Sequence, residues 1–129
     1  MNVYAVDVDP YDDTHYFAGA RCGLFEFRNG AFVKHYNSEN SPIEAYNGKS
    51  LNRQMITGVK YDHSGNLWLL NSSAPTRSII KYTKDGEFVT YDVPEVMKLN
   101  QGEFTNRSNS NMSNIIFDSK GYMWFVNNN

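Results

Sequence analysis

One ten-residue stretch of the chain, Asp62-His-Ser-Gly-Asn-Leu-Trp68-Leu-Leu-Asn71, is written again as Asp118-Ser-Lys-Gly-Tyr-Met-Trp124-Phe-Val-Asn127. A looser copy, Asp9-Pro-Tyr-Asp-Asp-Thr-His-Tyr-Phe17-Ala-Gly19, opens the chain. Each copy follows a short apolar run: Val3 to Val8, Ile56 to Tyr61 and Met112 to Phe117. The aromatic anchors Phe17, Trp68 and Trp124 stand 51 and 56 residues apart. Self-similarity at such a period means stacked copies of one supersecondary unit, each too small to bury its apolar face alone.

The unit reads as strands. Val3 to Val8 alternates as a half-buried strand does. Asp9 to Asp13 is a turn cluster, with Pro10 unable to donate to a ladder. His15 to Ala20, Leu24 to Arg28 and Ala31 to Tyr36 follow, the last two joined by Asn29-Gly30, a strong type I′ hairpin signal. Ile56 to Tyr61, Asn66 to Asn71, Ser78 to Tyr82 and Glu87 to Tyr91 repeat the plan. Ser113 to Phe117 and Tyr122 to Asn127 begin it a third time. Propeller blades run to about 40 to 50 residues. The fold class is therefore all-β: a β-propeller fragment of two and a half four-stranded antiparallel meander blades, at residues 1–43, 56–93 and 112–129. The polar stretches Asn37 to Gln54 and Val93 to Asn111 read as inter-blade loops, with room for one helical turn within Ile43 to Met55.

Composition excludes several classes. The 129 residues carry a formal charge of −2 with no basic cluster, so no electrostatic footprint for nucleic acid is present. No apolar run approaches the roughly 20 residues that cross a bilayer, so no membrane contact is expected of this segment. Cys22 is the single cysteine, which excludes an intrachain disulfide and a cysteine-built zinc cage. Met1-Asn-Val-Tyr4 does not read as a secretory signal. The chain is expected to be a segment of a longer protein or a truncated gene product.

The units resemble the two-component regulator propeller repeat, whose pattern is an apolar strand, then Asp-x-x-Gly-x-Leu-Trp. Asp62, Gly65, Leu67 and Trp68 match it; Asp118, Gly121, Met123 and Trp124 match with one conservative change. The first unit departs, with Phe17 at the tryptophan position and Asp9-Pro10 in place of Asp-x-x-Gly. Val8 to Pro42 resembles instead blades of bacterial cell-surface propellers, including those tied to type nine secretion. The resemblance implies a non-catalytic, ligand-sensing segment of a periplasmic sensor of a hybrid two-component system, with an oligosaccharide as ligand. Its alternative is a protein-interaction scaffold of a cell-surface or type nine secretion-associated protein. Periplasmic or cell-surface placement follows from either. The expected partners are further blades of a larger propeller, or a second copy of the chain.

Few residues suggest chemistry. A tryptophan face can stack on a sugar ring, but the identical place of Trp68 and Trp124 in two repeats favours packing between blades, where aromatics supply much core energy. Asp62 and Asp118 suit turns, with Gly65 and Gly121 at positive φ; they lack the ligand spacing of a calcium loop. Asp7, Asp9, Asp12 and Asp13 read as a solvated turn. His15, His35 and His63 have no metal-ligand spacing, and no cofactor or metal is expected. Glu26 is expected to point outward from its strand without a partner, so no acid pair is evident for a glycan-active enzyme, the third function class. Tyr11, Tyr46, Arg53, Arg77 and Arg107 lie in or near loops, where recognition concentrates, and are the candidate ligand-binding residues.

Overall fold

The computed structural model describes residues 2–46, 52–93, 98–100, 103–105 and 112–127. No helix occurs among them, and the architecture is all-β. Strands β1 (Val3–Asp9), β2 (Asp12–Ala20), β3 (Gly23–Arg28) and β4 (Ala31–Tyr36) form one antiparallel sheet in sequence order. β5 (Met55–Tyr61), β6 (Leu67–Ser72), β7 (Ile79–Tyr82) and β8 (Phe88–Tyr91) form a second sheet of the same plan. A short hairpin, β9 (Lys98–Asn100) with β10 (Glu103–Thr105), precedes a two-stranded sheet of β11 (Met112–Phe117) and β12 (Met123–Asn127). The hairpin lies within Val93 to Asn111, expected to be an inter-blade loop without strands of its own. Of the stretch expected to hold a helical turn, residues 47–51 lie outside the described residues, and Gln54 forms a parallel bridge with Cys22.

The repeated motif has a local cause. Asp62 Oδ1 accepts from the Ser64 and Asn66 amides at 2.9 and 3.0 Å, and Oδ2 accepts from Trp68 Nε1 at 2.8 Å. Asp118 does the same for Lys120, Tyr122 and Trp124, at 2.9, 2.9 and 3.0 Å. One carboxylate thus closes the turn and orients the indole, and Gly65 and Gly121 supply the φ of +84° that the turn requires. Asn29 and Gly30 both take positive φ, as a type I′ turn demands.

The sheets stack face to face through two apolar seams. The first joins Phe17, Leu24 and Tyr36 of the β1–β4 sheet to Ile56, Val59, Tyr61, Leu67, Leu69 and Ile80 of the β5–β8 sheet. The second joins Trp68, Leu70, Ile79 and Tyr91 to Met112, Ile115 and Phe117. Alternation along β6 sends Leu67 and Leu69 one way and Trp68 and Leu70 the other, so the middle sheet is covered on both faces. At Gly19 the strands approach so closely that a Cβ would lie 2.6 Å from the Ile56 carbonyl oxygen.

The two outer faces of the stack are open. Val3, Val6 and Val8 of β1 are 50, 56 and 45% exposed, whereas their counterparts in β5, Ile56, Val59 and Tyr61, are 0, 6 and 8% exposed beneath the first sheet. At the other end Trp124 is 60% exposed, while Trp68 is half-buried in the second seam. Among the described residues, packing between sheets, expected for both tryptophans, is met by Trp68 and not by Trp124. No described strand follows β12 to cover Trp124.

Candidate binding crevice between the first two sheets

At the end of the stack carrying the β1–β2, β5–β6 and β7–β8 turns, the first seam opens into a crevice of about 320 Å³. Its wall holds a hydrogen-bonded chain of ionisable side chains. His15 Nδ1 lies 3.0 Å from Asp9 Oδ2, and Nε2 lies 2.7 Å from Glu26 Oε2, both within hydrogen-bond distance. Tyr36 Oη donates to Glu26 Oε1 at 2.8 Å and lies 3.2 Å from Tyr82 Oη, which links the two sheets. Burial, reinforced by the bonds to Tyr82 and Glu26, pushes the Tyr36 phenol well above its ordinary value. Tyr61 is raised too, by burial first and then by the Asp9, Glu26 and Asp7 carboxylates.

Glu26 therefore corrects the expectation of an outward, partnerless side chain: it is buried and has two partners. Leu24 and Glu26 share the face of β3 that meets the second sheet, and Phe25 and Phe27 take the other. A repeat alignment carried one step further signals this. Phe27 aligns with Tyr82, so Glu26 aligns with Lys81, whose Nζ lies 5.5 Å over the Trp68 ring.

The mouth of the crevice carries Arg28, Lys84, Asp85 and the glycines Gly65 and Gly86. Arg28 is held by Asp12 at 2.8 Å. Hydrogen bonds from Thr14, the side chain first, lower the Asp12 carboxyl. A shallower hollow lined by Tyr11, His63, Ser64, Asp9, Gly65 and Lys84 adjoins it.

The five loop candidates do not gather at one place. Tyr11 stands at this rim, its hydroxyl donating to the His63 carbonyl at 2.6 Å. Tyr46, Arg53 and Arg77 lie toward the opposite end, where the connections from β4 and β6 run. There the Arg53 guanidinium sits 4.2 Å over the Tyr46 ring. Arg77 Nε donates to Glu44 Oε1 at 2.8 Å. Burial opposes ionisation of Glu44, but bonds from Thr76 and Arg77 outweigh it and lower the carboxyl. Buried Asn71 anchors this end, accepting from the Glu44 amide at 2.7 Å and donating to the Glu44 and Met55 carbonyls. Arg107 lies outside the described residues.

No protein-family description matches the chain, and no curated protein matches it. Among solved structures, PorZ of Porphyromonas gingivalis, described as an essential bacterial surface component of the type-IX secretion system, is similar. It superposes with a TM-score of 0.79 at 22% identity over 95% of this chain, which spans 15% of the length of PorZ. The stacked antiparallel sheets of this chain thus share the fold of a segment of that bacterial surface protein.

Proposed function

We propose that the chain is a segment of a non-catalytic propeller on a bacterial cell surface, serving as a protein-interaction scaffold in or beside a type nine secretion system. The observation that carries this reading is the superposition on PorZ across 95% of the chain. The two open apolar faces agree with it. Each repeats the positions that make the interior seams, so each suits a further blade, from the same polypeptide or a second copy. The crevice supports a binding role over catalysis. Asp9 and Glu26 form a carboxylate pair there, but His15, Tyr36 and the Tyr11 amide occupy their oxygens, leaving neither set up as a general acid or base. A ligand-sensing segment is the second reading, favoured by the crevice itself.

The experiment tags the parent protein in its own bacterium. Loss of the tag when intact cells are treated with protease, with co-purification of secretion components or cargo, is the expected result. A tag that resists protease until the cells are lysed overturns the surface reading.

A further inference from the structure

Both seams inside the chain are built by one rule. The strand after the aspartate turn presents an aromatic ring, and the first strand of the next sheet receives it. In the first seam Phe17 lies 6.2 Å from Tyr61, in one cluster with Ile56 and Val59. In the second Trp68 lies 6.1 Å from Phe117, in one cluster with Met112 and Ile115. β5 therefore packs against β1 on one side and β11 on the other. A presenting face meets a receiving face built from different positions, which makes the contact heterologous.

Each end of the stack carries one half of this contact, uncovered among the described residues. At one end Trp124 and Val126 hold the places of Trp68 and Leu70, and both are exposed. Ile116, opposite Trp124 in the ladder, is 59% exposed. At the other end the exposed Val3, Val6 and Val8 hold the places of Met112, Ile115 and Phe117. Tyr16 and Phe27, stacked at 5.0 Å, extend this receiving face across β2 and β3. Trp124 is prepared for burial: its Nε1–H already donates to Asp118 at 3.0 Å, as that of Trp68 does to Asp62. Covering the ring therefore leaves no donor unpaired. Contiguous exposed apolar surface of this kind marks a contact site.

We propose that a second copy of the chain covers these faces head to tail, with Trp124 and Val126 of one copy set on Val3, Val6 and Val8 of the next. Continuity favours this occupant. The contact adds the next copy's β1 to the order β1, β5, β11, and it joins the same positions that form the interior seams. A heterologous contact can repeat, closing into a ring where the rotation allows and growing as a filament where it does not. The two strands of the third sheet reach the part of the receiving face nearest β1, so Phe32 on the far strand β4 stays outside the contact. The inference deepens the scaffold reading by naming one occupant of its open faces.

The test is analytical sedimentation of the full chain over a dilution series that ends in the lone chain. Wild type is expected to exceed the mass of one chain as concentration rises. Trp124→Lys removes the presenting face and Val6→Lys the receiving face, and each alone should weaken association about tenfold or more. Each variant keeps the face that the other lacks, so an equal mixture should form heterodimers and nothing larger. Phe32→Lys should assemble as wild type does. Strand circular dichroism checks that all three variants fold. A wild type that stays a lone chain at every concentration overturns the proposal and leaves the faces to other blades. So does a folded Trp124→Lys or Val6→Lys variant that assembles alone, a mixture that stays monomeric or exceeds a dimer, or a Phe32→Lys variant that loses association. Assembly in solution is blind to cellular location, so its failure and that of the surface reading are told apart.

Discussion

The first seam of the stack is mixed in character, the second almost wholly apolar, although both come from one repeat. In the second, Trp68 spans the gap with an indole, and Lys81 lies over its face. In the first, a smaller phenylalanine and a Glu26–His15–Asp9 chain occupy the same positions. The shared element is the carboxylate at the turn, which takes an indole N–H in two copies and meets an imidazole nitrogen in the other. A repeat can therefore keep its backbone while exchanging an aromatic plug for a polar network, provided every buried polar group that enters is paired.

The comparison breaks most visibly at its tryptophans. Trp68→Ala removes a ring packed between sheets and should cost about 3 kcal/mol, read from denaturant midpoints. Trp124→Ala removes an exposed ring and should fall within about 0.5 kcal/mol. Equal losses would show that Trp124 is covered in solution. Next is Glu26→Ala, which takes one of two partners from His15 and from the Tyr36 hydroxyl and should cost about 1 to 3 kcal/mol; Lys81→Ala, at the matching position of the second sheet, should cost less. The turn glycines come third. Gly65 and Gly121 share a φ of +84°, but a Cβ at Gly65 meets the Tyr11 ring at 3.2 Å and one at Gly121 meets nothing. Gly121→Ala should lose about 1 kcal/mol from backbone strain alone, and Gly65→Ala somewhat more because the ring must move.

The smallest effect is on pH dependence. Burial opposes ionisation of Asp62, but bonds from Trp68, Asn66 and Ser64 outweigh it, so its folded pKa lies below the ordinary 3.8. Glu44 is likewise held below its ordinary 4.5. The folded state then binds fewer protons than the unfolded one. The stabilisation is complete above those ordinary values and is lost as pH falls through the lowered folded ones. Asp62→Asn should narrow the difference between thermal midpoints at pH 7 and pH 3. An unaltered difference would assign the acid limb to other carboxyls.

Much of this architecture was legible because it is local. Asp-x-x-Gly turns, Asn29-Gly30 and alternating runs act through neighbouring residues, and the strands lie within a residue or two of their expected places except at the start of β2, which begins at Asp12. The hairpin of β9 and β10 was hidden in a polar stretch with no alternation to mark it. Glu26 was misread for a different reason. Alternation separates the two faces of a strand but does not say which one meets the next sheet, and in β3 the aromatic residues Phe25 and Phe27 lie on the face away from it.

From its residues alone the chain specified a repeating, all-β meander and the carboxylate-closed turns that punctuate it, since these depend on spacing and backbone conformation over a few positions. Only the tertiary structure decided that Glu26 turns inward, that Asp9, His15 and Tyr61 share one crevice, and that Trp68 is covered while Trp124 lies open. Those outcomes depend on which sheet lies against which face, a relation between residues far apart in the chain, as Asp7 and Tyr61 are at 54 positions, and no local pattern encodes it.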